Sequence, residues 1–277
     1  MQQSNSIYLR RDFVMTRPLL RLEKFDDFVT LTLMRPEKRN ALSPELIQDI
    51  QDALDQIKRM PEIRGVIVTG EGKAFCAGAD LAYLEEISHY DEEQNLQDSR
   101  TLTQLFHDLY TLPKITVARV NGPALAGGCG LALCCDYVVA DRDKAIFGFT
   151  EVKIGFIPAI VMNFLIRKVS LGAAFHAALE GKIFSAEEAQ KMGLVHSLFN
   201  TTALHDGTLN LLGKLLDQNS FGAMIQTKKL YQELLNKPLE EGLELAARVN
   251  AQSRKSVDCQ KGLNHFLNKK EIKWREL

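Results

Sequence analysis

Three short stretches of the 277-residue chain pair a bare backbone or an isolated acid with apolar neighbours, a combination suited to stabilising charge on a ligand oxygen. The first, residues 74–81 (AFCAGADL), follows the apolar run GVIVTG and the polar turn Glu71-Gly72-Lys73. Small residues at 77, 78 and 79 let a ligand atom approach the main-chain N–H groups, although a tight strand-to-helix turn needs the same composition. The second, residues 121–136 (NGPALAGGCGLALCCD), puts Gly127 and Gly128 where a helix begins. Free N–H groups and the positive end of a helix dipole receive a phosphate or an enolate there; close packing of helix on strand would select glycine as well. The third, residues 147–158 (FGFTEVKIGFIP), holds one carboxylate, Glu151, in a stretch otherwise apolar apart from Thr150 and Lys153. Desolvation raises a carboxyl pKa toward the range useful for proton transfer at neutral pH, whereas pairing with Lys153 on the surface would leave it ordinary.

Other chemistries fit these residues less well. Gly128-Cys129-Gly130 after the run ITVARV suggests a dinucleotide fingerprint, but the third small residue is missing because Leu133 stands there. No Gly-Lys-Ser/Thr follows to make a Walker loop. His89, His107, His176, His196, His205 and His265 show no metal-ligand spacing, so no metal is expected. Thirty-four basic against thirty-five acidic residues leave a net charge of -1, which offers no general field for nucleic acid. Any anion must be bound locally.

The elements that would position these stretches read as a mixed α/β protein. Apolar, β-branched runs at 28–34, 65–69, 115–120 and 137–140 are strand candidates, alternating with longer helical patterns. Leu46, Ile50, Ala53, Leu54 and Ile57 share one helical face, behind Ser43 as N-cap and Pro44 at the first helical position. Ser185 with Glu188 forms a capping box that opens another helix, which Gly193 closes. Beyond about residue 160 strand-like runs nearly vanish, and 208–270 reads as three helices broken near Pro238 and Ser256, without an evident core of their own. Five cysteines without a CxxC pair suit a reducing, cytoplasmic setting. The polar and basic opening residues read as a loose leader, with Met15 as a second candidate start.

Taken in order, and together with residues 35–42 (RPEKRNAL), the motifs RPxxxNAL, FCAGAD, NGxAxxGG and FGxxE followed by IGxxP resemble the crotonase (enoyl-CoA hydratase/isomerase) family. The resemblance runs from about residue 19 to the end. It implies an α/β spiral of ββα units with a C-terminal helical region, divided as leader 1–18, spiral core 19–205 and helical oligomerisation region 206–277. It implies that the N–H groups of Ala79 and Gly127 grip an acyl-CoA thioester oxygen while Glu151 moves the proton. Lys38, Arg39, Ala41, Ala77, Asp80 and Leu81 would contact the substrate, and Phe266, Lys269 and Lys270 would close a neighbouring subunit's site in a homotrimer or a hexamer built as a dimer of trimers. Coenzyme A would enter as part of the substrate, with no separate cofactor. One departure stands out: the first of the family's two water-holding glutamates falls on Gly130. The expected activity is enoyl-CoA hydration in fatty acid metabolism. The alternatives are a Δ3,Δ2-enoyl-CoA isomerase with Glu151 as sole proton shuttle and, from another class, a non-catalytic acyl-CoA-binding or RNA-binding scaffold.

Overall fold

The computed structural model describes residues 11–276. Strand β1 (Arg11–Arg17) pairs antiparallel with β2 (Leu20–Phe25), and β2 with β3 (Phe28–Leu33). From β3 onward the sheet is parallel. It continues through β4 (Gly65–Gly70), β5 (Ile115–Val120), β7 (Tyr137–Asp141) and β10 (Ser197–Phe199), giving seven strands in the order β1-β2-β3-β4-β5-β7-β10. A smaller sheet joins β6 (Ala124–Leu125), β8 (Ile146–Gly148) and β9 (Ile183–Ser185) in the order β6-β8-β9.

Parallel neighbours require crossover connections, and helices supply them. Helix α1 (Pro44–Lys58) links β3 to β4, α2 (Leu81–Ile87) and α3 (Glu92–Thr111) link β4 to β5, and α4 (Gly127–Leu133) lies between β5 and β7. Three further helices, α5 (Ala159–Leu165), α6 (Leu171–Glu180) and α7 (Ala186–Lys191), follow. The Ser43 hydroxyl caps α1 by accepting from the Leu46 N–H at 3.4 Å, and the anticipated face (Leu46, Ile50, Ala53, Leu54, Ile57) is buried. Strands β3 and β4 are buried along their whole lengths, as strands covered on both faces must be. Four cysteines (Cys76, Cys129, Cys134, Cys135) pack into this core as free thiols; Cys259 is exposed.

The chain divides into two compact units, Met1–Thr208 and Leu209–Leu277. The second contains most of α8 (Leu204–Gln218), then α9 (Phe221–Leu234), α10 (Leu239–Ser253) and α11 (Val257–Leu267). Pro238 and Ser256 stand at breaks as expected, but there is a third break at Asn219-Ser220, where the Ser220 hydroxyl accepts from the Ala223 N–H and restarts the helix. Among the described residues of this unit only Leu212, Leu216, Ser220 and Gly242 are buried, while Leu239, Leu243, Val257, Phe266 and Leu267 are widely exposed. Two other expectations are corrected. Residues 11–17 of the expected leader are strand β1, held by the hairpin with β2; residues 1–10 lie outside the described residues. Strands β9 and β10, three residues each, also interrupt the region read as helical.

The three turns that matter leave the carboxyl ends of the neighbouring strands β3, β4 and β5, the location where open parallel sheets bind ligands. Two asparagines stitch them together. Asn40, fully buried and left-handed at φ 51–55° together with Arg39, donates through Nδ2 to the carbonyls of Glu71 (2.9 Å) and Ala74 (2.8 Å) and accepts from the Arg35 N–H (2.9 Å). Asn121 accepts from the Gly70 N–H (3.3 Å) and donates to the Gly72 carbonyl (3.0 Å). Replacing Asn40 by Ala leaves two carbonyls and one N–H without their partner, at about 1–3 kcal/mol for each group left buried. Asn40→Ala should therefore shift the urea midpoint strongly downward. Asn40→Asp should not rescue it, because the carboxylate cannot donate; equal midpoints for wild type and Asn40→Asp would contradict this account.

Candidate active site

Ala79 owes its orientation to a single parallel bridge. Leu42 donates to the Gly78 carbonyl (2.7 Å) and accepts from the Asp80 N–H (2.9 Å), so both bonds flank Ala79 without using its own N–H. That N–H points to the opposite side, and Ala79 is exposed. The turn passes through Gly78 at φ 91°, a conformation that favours glycine.

What lies beside Gly78 is the start of α4. A methyl built on Gly78 would sit 3.6 Å from the Gly127 nitrogen, and one built on Gly127 would sit 4.0 Å from the Gly78 Cα, so the two turns are in contact. Gly127 opens α4, and the first intrahelical bond runs from the Gly130 N–H to the Ala126 carbonyl (3.1 Å). The first N–H groups of a helix have no acceptor within it, and among the described residues no backbone acceptor is recorded for those of Ala79 or Gly127. Ala126, at φ 48° and ψ -123°, holds a backbone conformation that costs of order 1–3 kcal/mol and fixes the direction of the helix. Helix α4 and the turn after β4 also cross at the smallest separation glycine permits, since a Cβ on Gly128 would overlap the Cys76 carbonyl.

Glu151 arrives by way of the small sheet. The Ala126 N–H donates to the Gly148 carbonyl (2.8 Å) at the end of β8, and Glu151 follows in a 3-10 turn, Thr150–Ile154. The residue is half-buried and its Oε2 is fully buried without a hydrogen-bond partner among the described residues. Burial pushes its carboxyl above the ordinary carboxylate range, partly offset by a backbone hydrogen bond. Cys129, two residues into α4 from Gly127, registers the Glu151 charge: burial pushes its thiol up, the Gly148 backbone pulls it down, and Glu151 adds to the rise. Ala126 thus ties the end of β8, from which the Glu151 turn departs, to the amino end of α4, against which the Gly78 turn also rests.

The other anticipated residues fall into two groups. Lys38 and Arg39 are exposed in the turn after β3, Ala41 is buried with its carbonyl accepting from Arg35 (2.6 Å), and the half-buried Ala77 donates its N–H to the Arg39 carbonyl (3.0 Å). Asp80 is buried against Arg35 at 2.8 Å. Burial raises its pKa, but the guanidinium and the Ala82 N–H outweigh that and hold the carboxyl below its usual value. Leu81, the first residue of α2, is 83% exposed. These six share the stitched turns beside Ala79. Phe266 and Lys269 belong to the second unit: Phe266 is exposed on α11, and Lys269 follows at φ 51°.

Gly130 is not an open position. A Cβ there would lie 2.8 Å from Cε2 of Phe106 on α3 and 2.8 Å from Cγ2 of Val161 on α5, so the space that a side chain would need is filled by two buried apolar groups. No motif in the sequence announced Phe106 or Val161, because each reaches Gly130 only through tertiary packing.

Residues 25–277 match the enoyl-CoA hydratase/isomerase family model. A Thermus thermophilus protein carrying a provisional enoyl-CoA hydratase name is 44% identical over 236 residues, covering 85% of this chain and 92% of its own. The 2,3-dehydroadipyl-CoA hydratase of Escherichia coli is 33% identical over 87% of this chain and 92% of its own. The crystal structure of an enoyl-CoA hydratase from Mycobacterium smegmatis superposes with a TM-score of 0.87 at 30% identity, covering 94% of this chain and 100% of that one.

A buried carboxyl whose pKa is raised by folding binds its proton more tightly in the native state, so its contribution to stability is present below the unfolded value near 4.5 and is lost as pH rises through the folded value. Glu151→Gln removes that loss. The variant should melt above wild type at pH 8, with the gap closing as pH falls below 4.5; a gap independent of pH would contradict the burial argument.

Proposed function

The chain belongs to the enoyl-CoA hydratase/isomerase family, and we propose that it adds water reversibly across the double bond of a 2-enoyl-CoA. The observation that carries this reading is the contact between the turns that bear the Ala79 and Gly127 N–H groups, together with a half-buried Glu151 whose Oε2 lacks a hydrogen-bond partner among the described residues. Attack of water at C3 drives charge onto the thioester oxygen. Donors fixed in advance lower that barrier, each typically by about a hundred- to a thousand-fold. Backbone donors explain why the motif consists of small residues. The raised affinity of Glu151 for protons suits it to exchange one with water and with C2.

In this reading Lys38, Arg39, Ala41, Ala77, Asp80 and Leu81 form the coenzyme A side of the site, with the Arg35–Asp80 ion pair keeping the turn rigid. Coenzyme A is part of the substrate, and the reaction needs no further cofactor. The exposed apolar residues of α10 and α11 support assembly into a trimer or a dimer of trimers, in which Phe266 and Lys269 reach a neighbour's substrate. Among the described residues no helix is long and apolar enough to cross a membrane, and the reading places the enzyme in the cytoplasm. The second reading, Δ3,Δ2-enoyl-CoA isomerisation, is favoured by one observation, the apolar filling at Gly130, since moving a double bond needs a single proton shuttle. A carboxyl oxygen kept buried without a hydrogen-bond partner among the described residues argues against a merely binding scaffold.

Crotonyl-CoA and a 3-enoyl-CoA, offered separately, distinguish the two activities: loss of the enoyl absorbance with crotonyl-CoA is expected, and turnover of the 3-enoyl thioester alone would favour isomerisation. Glu151→Gln should lower kcat by about 10²–10⁴-fold; wild-type rates in that variant would remove Glu151 from the mechanism. Phe266→Glu should split the assembly in sedimentation and raise KM for the thioester, and an unchanged sedimentation coefficient would count against the subunit role of α11.

A further inference from the structure

We propose that Phe106 and Val161 form an apolar plug beside Gly130, so that hydration in this chain runs on one carboxylate, with Glu151 both taking the proton from water and returning it to the substrate. The proposal rests on the hydratase reading.

Residue 130 lies three positions beyond Gly127 on α4, hence on the same helix face as position 127. A second acid on α4 would have to project from there. Phe106 and Val161 prevent it: both are buried, and both stand 2.8 Å from where a Cβ would begin. The plug is braced. The Phe106 ring meets Phe164 edge-on at 5.8 Å between centroids, and Phe164 meets Tyr110 at 5.5 Å, so α3 and α5 hold it from two directions. Close-packed interiors do not yield such space cheaply.

Among the described residues, the ionisable groups on α4, on α6 and on the turn of Glu151 itself are Cys129, His176, Glu180 and Lys153. Cys129 of α4 is buried and its thiol stays protonated at neutral pH. His176 and Glu180 of α6 and Lys153 of the same turn are exposed, and none of them contributes to the shift of Glu151. Water addition nevertheless requires a proton to leave water and a proton to reach C2. With one carboxylate the two events use the same group in sequence. As the water oxygen bonds to C3, Glu151 accepts the water proton and the C2–C3 π pair moves through C1 onto the thioester oxygen. The enolate then collapses, its electron pair forming the C2–H bond with the proton that Glu151 gives up. One water is consumed, and the carboxylate is regenerated.

A site with separate acid and base requires one group charged and one neutral, which gives a bell-shaped pH dependence. A single shuttle must only be ionised. For wild type turning over crotonyl-CoA, kcat/KM should fall tenfold per pH unit below one ionisation and stay level on the alkaline side; a descending alkaline limb would overturn the proposal. Gly130→Ala should lower the melting temperature by several degrees, and that loss should shrink to a fraction in a Phe106→Leu background. Full tolerance of Gly130→Ala in the wild-type background would show that the plug does not exist. Absence of any hydration would instead remove the reading on which the proposal rests, so the two failures are distinguishable.

Discussion

The rest of the molecule depends on how closely three backbone segments can cross at the carboxyl ends of β3, β4 and β5. Hydrogen bonds from Asn40 and Asn121 pull the turns inward, and the absence of a side chain at Gly128 lets α4 rest on the Cys76 carbonyl. Main-chain donors are useful to a reaction only if they cannot relax away from the developing charge. Here the restraint comes from the hydrogen bonds of a buried Asn40 and a half-buried Asn121, which tie the turns to one another. The strained backbone at Ala126 belongs to the same arrangement, because it sets the direction in which the Gly127 N–H points.

Against that rigid frame, Glu151 is an acid whose burial is only partly compensated. Asp80 shows the ordinary outcome for a buried acid: an arginine and an N–H group compensate its burial. Glu151 receives no such compensation for Oε2. The two acids therefore differ in their surroundings: Asp80 is paired with Arg35, whereas Oε2 of Glu151 has no hydrogen-bond partner among the described residues.

Much of this was legible from local chemistry. Ser43-Pro44 and Ser185 with Glu188 mark helix starts because a cap involves residues only three positions apart, and the capping box at Ser185 forms in both directions. The strands β3, β4, β5 and β7 are legible because burial on both faces demands unbroken apolar runs. Strand β2 is not, since Arg21, Glu23 and Lys24 alternate with its apolar residues and read as polar surface. Ser220 escaped notice as a cap because Ala223, three residues on, gives no reciprocal acid. At the site, the small residues and the lone glutamate were visible, but Phe106 and Val161 were not. Whether a glycine marks empty space or filled space depends on residues distant along the chain, and no periodicity encodes that.

Four cysteines are sealed in the core, with Cys76 pushed up to about 12 and Cys129 and Cys134 raised by burial as well, while Cys259 faces outward on α11. Because alkylation proceeds through the thiolate and needs access, the folded chain offers electrophiles a single address. A maleimide dye placed there would report on the C-terminal helices alone, and the appearance of further labelled thiols would time the opening of the core.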